Sequence, residues 1–399
     1  MSKQARSNAG DLRAASQLAV SATTSITQVV QDMHTTIASG PLVLGKPLER
    51  PVRFFTDLIY GQVRGVTNLV GSGIDKALAA LEPVLGDSTP GPERDAVVAA
   101  LNGVLGDHLA ASNNPLAIPM SLRSGGQALS LDASALRASF PSATGKLLVL
   151  VHGSCMADRG WLRKGHDHGA ALARDLGYTP VYLHYNSGLH ISDNGRAFAA
   201  LLEQLCSAWP VPITELCLLG HSMGGLVARS ACHVAETNGL GWRPLLRKLV
   251  CLGTPHHGSP VERGGSLVHA LIGISRYSAP IARLAQIRSA GVTDLRFGYV
   301  SEEHWQGSDR FARGKDQRRA LALPAGVDCF AMAASVASDP RASLPGDGLV
   351  PVDSALGRHA QPELTLQFPE AHTWVALGTG HLDLLDRPSV YQKLEEWLA

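Results

Sequence analysis

The chain has 399 residues and a nearly balanced charge, with 35 Lys and Arg against 34 Asp and Glu. This length accommodates one large domain with an extension, or two domains. A net charge of +1 gives no global attraction to nucleic acid or to an anionic membrane, so we expect no nucleic-acid partner. The polar residues 1–10 are not followed by the apolar core of a secretory signal, and no stretch is typical of a membrane span.

The six cysteines lie in or beside apolar runs and lack the spacing of metal ligands. This pattern favours buried, reduced thiols over a disulfide framework. Together with the polar start of the chain, it predicts a cytoplasmic location. We expect no cofactor, and the sequence predicts no particular oligomeric state.

Residues 1–112 are typical of a helical extension. Helices are predicted over residues 12–37, 52–85 and 93–111. Apolar residues of the second helix recur at helical spacing and form one stripe, which we expect to pack on the following domain. Contact of this stripe with a lipid surface or with a partner protein is the alternative.

From residue 113 the pattern becomes that of an α/β domain. Alternating apolar residues on both sides of residues 124–126 predict a β-hairpin. Predicted strands and helices then alternate, which indicates a mainly parallel sheet covered by helices. The strands are predicted over residues 146–151, 180–185, 215–219, 248–252 and 327–333, and helices over residues 161–176, 195–209 and 390–398.

Residues 259–325 form an insertion that is too long for an ordinary connection in a compact domain. Their apolar residues show enough helical periodicity for short amphipathic helices. Two interpretations stay open, a structural cap and a lid over the functional site that shapes its pocket.

The most informative motif is Gly-His-Ser-Met-Gly at residues 220–224, between the apolar strand at 215–219 and a predicted helix. Glycines on either side of Ser222 let a strand turn sharply into a helix while the serine is held in a strained conformation with its hydroxyl outward. This is how a protein presents a serine nucleophile. The alternative is a glycine-rich turn whose serine only caps the helix.

A serine nucleophile needs a base within hydrogen-bond reach and an acid that orients the base. Downstream of Ser222, Asp347 lies in a loop after one predicted strand and His381 in a glycine-flanked loop after another. The carboxyl ends of parallel strands gather at one edge of a sheet, so both loops are expected beside the serine. The weaker candidates for the acid are Asp353, Asp383 and Asp386.

Two backbone amides are predicted to form an oxyanion hole. One belongs to Met223, the residue after the candidate nucleophile, and the other to Ser154, in the loop after the strand at 146–151. Because these donors are backbone groups, the side chain of Met223 is free to vary. We interpret His152, in the same loop as Ser154, as a packing residue rather than as a second base.

Two histidine clusters raise the question of a metal. His166 and His168 flank Asp167, and His256 precedes His257. Neither cluster alone supplies a full ligand set, so we predict packing roles for both and no metal site.

Five motifs resemble those of bacterial lipases and related esterases of the α/β-hydrolase superfamily, including its inositol-deacylase-like branch. The resemblance covers about residues 115–399. It implies the α/β-hydrolase fold, a Ser-His-Asp acyl-enzyme mechanism on esters, and a lid. The motifs are His-Gly at 152–153, Gly-His-Ser-Met-Gly-Gly at 220–225, Gly-Thr-Pro-His-His-Gly-Ser at 253–259, Asp-Gly-Leu-Val-Pro at 347–351 and Gly-His-Leu-Asp at 380–383.

We therefore expect an α/β-hydrolase domain at residues 113–399 that acts as an esterase or lipase on a small-molecule ester or a lipid. Ser222, His381 and Asp347 would form the catalytic triad. The alternatives are an acyltransferase, a thioester or amide hydrolase on the same triad, or a non-catalytic binding protein with this fold.

Overall fold

The computed structural model describes residues 92–259, 289–307, 316, 318–341 and 344–399. The strands are β1 Ser121–Ser124, β2 Gln127–Ala128, β3 Lys146–Val151, β4 Thr179–His184, β5 Glu215–His221, β6 Leu246–Leu252, β7 Asp328–Ser335 and β8 Thr373–Leu377. The α-helices are α1 Pro92–Ala111, α2 Ala133–Ser139, α3 His168–Leu176, α4 Ile191–Ala208, α5 Met223–Asn238, α6 Ala290–Asp294, α7 Val352–Ala355 and α8 Pro388–Leu398.

One eight-stranded sheet, in the order β2-β1-β4-β3-β5-β6-β7-β8, organises the described chain. From β4 to β8 the neighbouring strands are parallel, while the β1–β2 hairpin joins β4 in antiparallel orientation. The predicted hairpin and the predicted mainly parallel sheet are therefore confirmed.

The apolar run of β3 explains why helices cover both faces of the sheet. Successive strand residues point to opposite faces, and in β3 every residue after Lys146 is buried. Leu147 and Val149 face the hydrophobic core that contains side chains of α1, α4 and α5. Leu148 and Leu150 face a second core, which contains side chains of α3 and α8. A strand that is apolar on both faces is stable only between two such layers.

The strand order reverses next to β3, because β4 lies on one side of it and β5 on the other. At such a switch point the loops after adjacent parallel strands diverge and leave a crevice at the carboxyl edge of the sheet. The loop after β3 contains Ser154, and the turn after β5 contains Ser222. The fold thus places the two predicted parts of the site on either side of one crevice.

Two helices begin elsewhere than the sequence pattern predicts. The helix predicted over 161–176 begins at His168, because Asp167 accepts a hydrogen bond from the amide of Ala170 at 2.9 Å and so forms the N-cap. The helix predicted over 195–209 begins earlier, at Ile191. Its first amide donates to the carboxylate of Asp294 at 2.9 Å, a partner that is distant in sequence.

The helices predicted over 12–37 and 52–85 lie outside the described residues. The third predicted helix is α1, and Leu101, Leu105 and Leu109 of this helix are buried in the core of the α/β domain. The domain boundary at residues 112 and 113 stays a prediction. In the part of the chain that the structure describes, no helix is long and apolar enough to cross a bilayer.

Most of the predicted cap at residues 259–325 also lies outside the described residues, but α6 and the residues up to 307 are described. This part is held against the domain by side-chain hydrogen bonds. Ser289 Oγ donates to the carbonyl of Gly103 in α1 at 2.7 Å. Trp305 Nε1 donates to Ser192 Oγ in α4 at 3.0 Å, and its ring stacks on His190 with the centroids 3.8 Å apart.

Gly103 lies where α1 meets the loop after β3. A Cβ atom at this position would collide with Sγ of Cys155 and would lie 2.9 Å from its Cα. Cys155 directly follows Ser154, so the close approach of α1 sets the position of the predicted oxyanion loop. Only a residue without a side chain permits this approach.

We predict that Gly103→Ala lowers the free energy of unfolding by about 1–3 kcal/mol, even though alanine favours helices by about 1 kcal/mol over glycine. Urea denaturation measures this change. Adding Cys155→Gly removes Sγ and Cβ from the contact and should restore part of the lost stability. An unchanged unfolding midpoint in Gly103→Ala would contradict the tight packing of α1 on this loop.

Candidate active site

Ser222 lies directly after β5 and before α5, in the strained turn that the motif predicts. Its backbone has φ 54° and ψ −125°, a combination that costs a residue other than glycine about 1–3 kcal/mol. The amide of Ser222 donates to the carbonyl of Leu252 at 2.8 Å, which ties the turn to the end of β6. A Cβ atom on Gly224 would collide with the carbonyl of Val151, so the motif glycine lets α5 start against the end of β3.

Asp347 and His381 form a buried pair at the same edge of the sheet. Nδ1 of His381 lies 2.7 Å from Oδ2 of Asp347, and both side chains are nearly inaccessible to solvent. The other carboxylate oxygen, Oδ1, accepts the amides of Leu349 at 2.9 Å and Val350 at 2.8 Å. An ionised carboxylate can only accept hydrogen bonds, so this pairing places the ring proton on Nδ1 and leaves Nε2 as the basic nitrogen.

His381 lies beside the serine turn. Its ring centroid is 4.8 Å from that of His221, the residue before Ser222. A Cβ atom on Gly253 would lie 3.2 Å from Nδ1 of His381, and Gly253 follows the residue whose carbonyl binds the Ser222 amide. Within the described residues, Nε2 of His381 is buried and has no hydrogen-bond partner. The base candidate therefore lies next to the residues that adjoin Ser222, with Nε2 not bonded to any described residue.

The rival acids lie elsewhere. The side chain of Asp353 is 75% exposed. Asp383 accepts the amide of Gly380 in its own turn at 3.2 Å, and Asp386 forms an ion pair with Arg163 at 3.1 Å. Among the carboxylates that the structure describes, Asp347 is the one that bonds the ring of His381.

The loop after β3 touches the serine turn at Gly153. A Cβ atom on this residue would lie 3.1 Å from Cβ of Ser222. The amide of Ser154 makes no hydrogen bond to any described residue, and the amide of Met223, the first residue of α5, has no partner within its helix. The two predicted oxyanion donors thus belong to segments that adjoin Ser222, and neither has a hydrogen-bond partner among the described residues.

Contacts with the segment after β4 hold the oxyanion loop in place. The ring of His152 stacks on Tyr185 at 4.3 Å, and the Tyr185 hydroxyl donates to the carbonyl of His152 at 2.8 Å. The amide of Cys155 donates to Ser187 Oγ at 3.0 Å. Burial lowers the pKa of His152 to about 3, so this ring is neutral and packs the loop.

Tyr185 and Ser187 are not part of any sequence motif. They lie just after β4, the strand that neighbours β3. Their place at the end of the strand predicted over 180–185 is the signal that could have found them.

Both histidine clusters are engaged with protein groups. Nε2 of His166 lies 2.8 Å from Nδ1 of His168, and Nε2 of His168 lies 2.9 Å from the carbonyl of Leu384. Nδ1 of His256 lies 3.2 Å from the guanidinium of Arg229. In the described part of the chain, no group of three or more His, Cys, Asp or Glu side chains is arranged to hold a metal ion.

A serine in a strained turn at the switch point of a mainly parallel sheet, with an Asp–His pair at the same edge, defines the α/β-hydrolase class. Residues 196–321 match the family model described as a PGAP1-like alpha/beta domain. The sheet and this match confirm the predicted α/β-hydrolase fold, and the match supports the resemblance to that superfamily. No curated protein matches the sequence significantly.

Several solved structures are similar to this chain. The mature lipase BlEst2 of Bacillus licheniformis has 16% identity and a TM-score of 0.43, and the match covers 70% of this chain and 98% of that one. The Pyrobaculum calidifontis esterase has 14% identity and a TM-score of 0.39, with 63% and 74% covered. Phospholipase PlaB of Legionella pneumophila has 14% identity and a TM-score of 0.35, with 53% and 45% covered.

The strained backbone of Ser222 has a measurable cost. Glycine adopts a positive φ without strain, so Ser222→Gly removes about 1–3 kcal/mol of strain and adds about 0.5–1 kcal/mol of chain entropy to the unfolded state. We predict a net rise of about 1 kcal/mol in the free energy of unfolding, measured by urea denaturation. Ser222→Ala keeps the Cβ atom and is the matched control. Equal stability of the two variants would contradict a strained turn.

Proposed function

We propose that this protein is a serine carboxylic-ester hydrolase whose catalytic residues are Ser222, His381 and Asp347. The observation that carries the proposal is the 2.7 Å contact between the buried Asp347 carboxylate and Nδ1 of His381, at the sheet edge where Ser222 is held in a strained turn. This contact leaves Nε2 of His381 as the basic nitrogen, and no described residue bonds it.

In the first half of the reaction, Ser222 Oγ attacks the carbonyl carbon of an ester while Nε2 of His381 takes the hydroxyl proton. The carbonyl π electrons move to oxygen, and the resulting oxyanion accepts hydrogen bonds from the amides of Ser154 and Met223. Each such donor typically contributes about 3–4 kcal/mol to the stability of the transition state. Collapse of the intermediate breaks the ester C–O bond, and the leaving alcohol takes the proton from His381.

In the second half, a water molecule replaces the alcohol. His381 takes a proton from this water as its oxygen attacks the acyl carbon, and returns the proton to Ser222 Oγ when the acid leaves. Asp347 stays ionised throughout. Its two backbone hydrogen bonds, from Leu349 and Val350, fix the carboxylate so that it holds the required tautomer of His381 and stabilises the imidazolium.

The same residues would also support transfer of the acyl group to an alcohol, or cleavage of a thioester or an amide, because the acyl-enzyme is common to all of these reactions. Product analysis with added alcohol acceptors separates them. We propose a small-molecule ester or a lipid as the substrate. The cytoplasmic location and the function of the cap as a lid stay predictions.

A non-catalytic binding protein is the alternative from another class. It would gain nothing from a strained serine, whose conformation lowers stability, or from a buried basic nitrogen that no described residue bonds. We therefore favour the enzyme. A fluorophosphonate probe, which reacts with activated serines, distinguishes the two classes directly.

We predict that Ser222→Ala abolishes both the hydrolysis of a short-chain nitrophenyl ester and fluorophosphonate labelling, because the attacking oxygen is gone. The variant should unfold at the same urea concentration as the wild type within error, since the alanine keeps the Cβ atom. Hydrolysis at the wild-type rate by the folded variant would refute the proposed mechanism.

We predict that Asp347→Asn lowers kcat by about 10⁴-fold, because an amide in place of the carboxylate favours the wrong tautomer of His381. Steady-state kinetics on the same ester measure the loss. Asp353→Asn is the matched control and should keep the wild-type kcat, since the side chain of Asp353 is exposed. The reverse result, a loss in Asp353→Asn and none in Asp347→Asn, would assign the acid to Asp353.

A further inference from the structure

We infer that two buried histidines, His221 and His168, are positioning residues that hold the short helix carrying His381 against the nucleophile turn. This inference rests on the proposed function, because it assigns a role in the orientation of the proposed base. It also gives a role to His168, which belongs to one of the two histidine clusters of the sequence.

His381 is the first residue of a five-residue 3₁₀ helix, His381–Leu385, that spans less than two turns. A helix this short has few internal hydrogen bonds and little stability of its own. Side chains from two other elements bond its carbonyls. Nε2 of His221 lies 3.2 Å from the carbonyl oxygen of His381, and Nε2 of His168 lies 2.9 Å from that of Leu384. A carbonyl only accepts hydrogen bonds, so each imidazole donates from Nε2.

The hydrogen bond from His221 is one of three contacts that hold the proposed base, His381, in place. The amide of His381 donates to the carbonyl of Asp347 at 3.1 Å, and the carbonyl of His381 accepts from His221. With the contact between Nδ1 and the Asp347 carboxylate, both main-chain groups and one ring nitrogen of the base are bonded. His221 directly precedes Ser222, so one residue connects the base to the nucleophile turn. Its ring also packs edge-on against Trp161, with the centroids 6.3 Å apart.

Both histidines are suited to donate as neutral groups. Burial lowers the pKa of His221 well below its usual value and lowers the pKa of His168 to about 4, so both are neutral near pH 7. Nδ1 of His168 accepts a hydrogen bond from Nε2 of His166 at 2.8 Å, which fixes the tautomer with the proton on Nε2. A charged donor beside His381 would oppose the imidazolium that forms during the reaction, whereas a neutral imidazole donates without that repulsion.

A purely structural role would require the volume of the histidine and not its donor. Gln and Met have side chains of similar length, and the amide nitrogen of Gln is a donor, whereas the thioether of Met is not. The pairs His221→Gln with His221→Met and His168→Gln with His168→Met therefore differ mainly in this one hydrogen bond. Urea denaturation of all four variants establishes which of them are folded.

We expect His221→Met to lower kcat for the nitrophenyl ester by about 10- to 100-fold, the typical effect of a small displacement of a catalytic group. KM should change less than twofold, because neither histidine is proposed to touch the substrate. His221→Gln should recover most of the loss. His168→Gln should likewise keep a higher kcat than His168→Met. The difference should be smaller than at position 221, because His168 bonds the carbonyl of Leu384 and not that of His381 itself. Equal kcat values in the Gln and Met variants at both positions would overturn the inference.

A second measurement does not depend on ester hydrolysis. The proton shared between Nδ1 of His381 and Asp347 should give a low-field proton NMR signal that persists in His221→Gln and is lost or broadened by exchange in His221→Met. An unchanged signal in His221→Met would overturn the inference even if the proposed function holds. Failure of the proposed function is a separate result. In that case the wild-type protein neither reacts with fluorophosphonate nor hydrolyses esters, while the NMR signal still persists in His221→Gln and is lost in His221→Met.

Discussion

The site depends on one steric constraint, the close approach of three backbone segments around Ser222. The loop after β3, the turn after β5 and the start of α5 meet with little room for side chains. A Cβ atom at Gly224 would collide with the carbonyl of Val151, and one at Gly153 would lie only 3.1 Å from Cβ of Ser222. Ser222 has a positive φ in this crowded turn, and the loop with Ser154 lies against it. The rest of the fold supplies the packing energy that offsets this local strain.

Because the site is buried, its polar groups depend on hydrogen bonds from protein groups in fixed positions. A carboxylate removed from water is stable only with several donors, and Asp347 has two amides and an imidazole. The two amides belong to the loop of Asp347 itself and bond Oδ1, whereas the imidazole comes from the segment after β8 and bonds Oδ2. The carboxylate therefore has one orientation, and the histidine it bonds has one tautomer. The neutral rings of His152, His168 and His221 extend this arrangement around the crevice without adding charge.

The sequence pattern predicts those elements whose conformation depends on residues close to them in the chain. The strand at 146–151 was predictable residue by residue, because a continuous apolar run is what a doubly covered strand requires. The acid and the base could be proposed because each follows a strand at the same sheet edge. The start of α4 was not predictable, since Asp294 caps it from 103 residues away, and neither were the contacts of His168 and His221, which depend on the tertiary fold.

The position of α1 has a consequence for the smallest fragment of this protein that can fold. This helix belongs to the predicted extension, yet its leucines fill the same core as β3. Its Gly103 packs on the loop with Ser154 and accepts a hydrogen bond from Ser289. A protease cut or a gene truncation at residue 112 would therefore expose a hydrophobic face beside the crevice. The folded unit that contains the candidate site therefore includes α1.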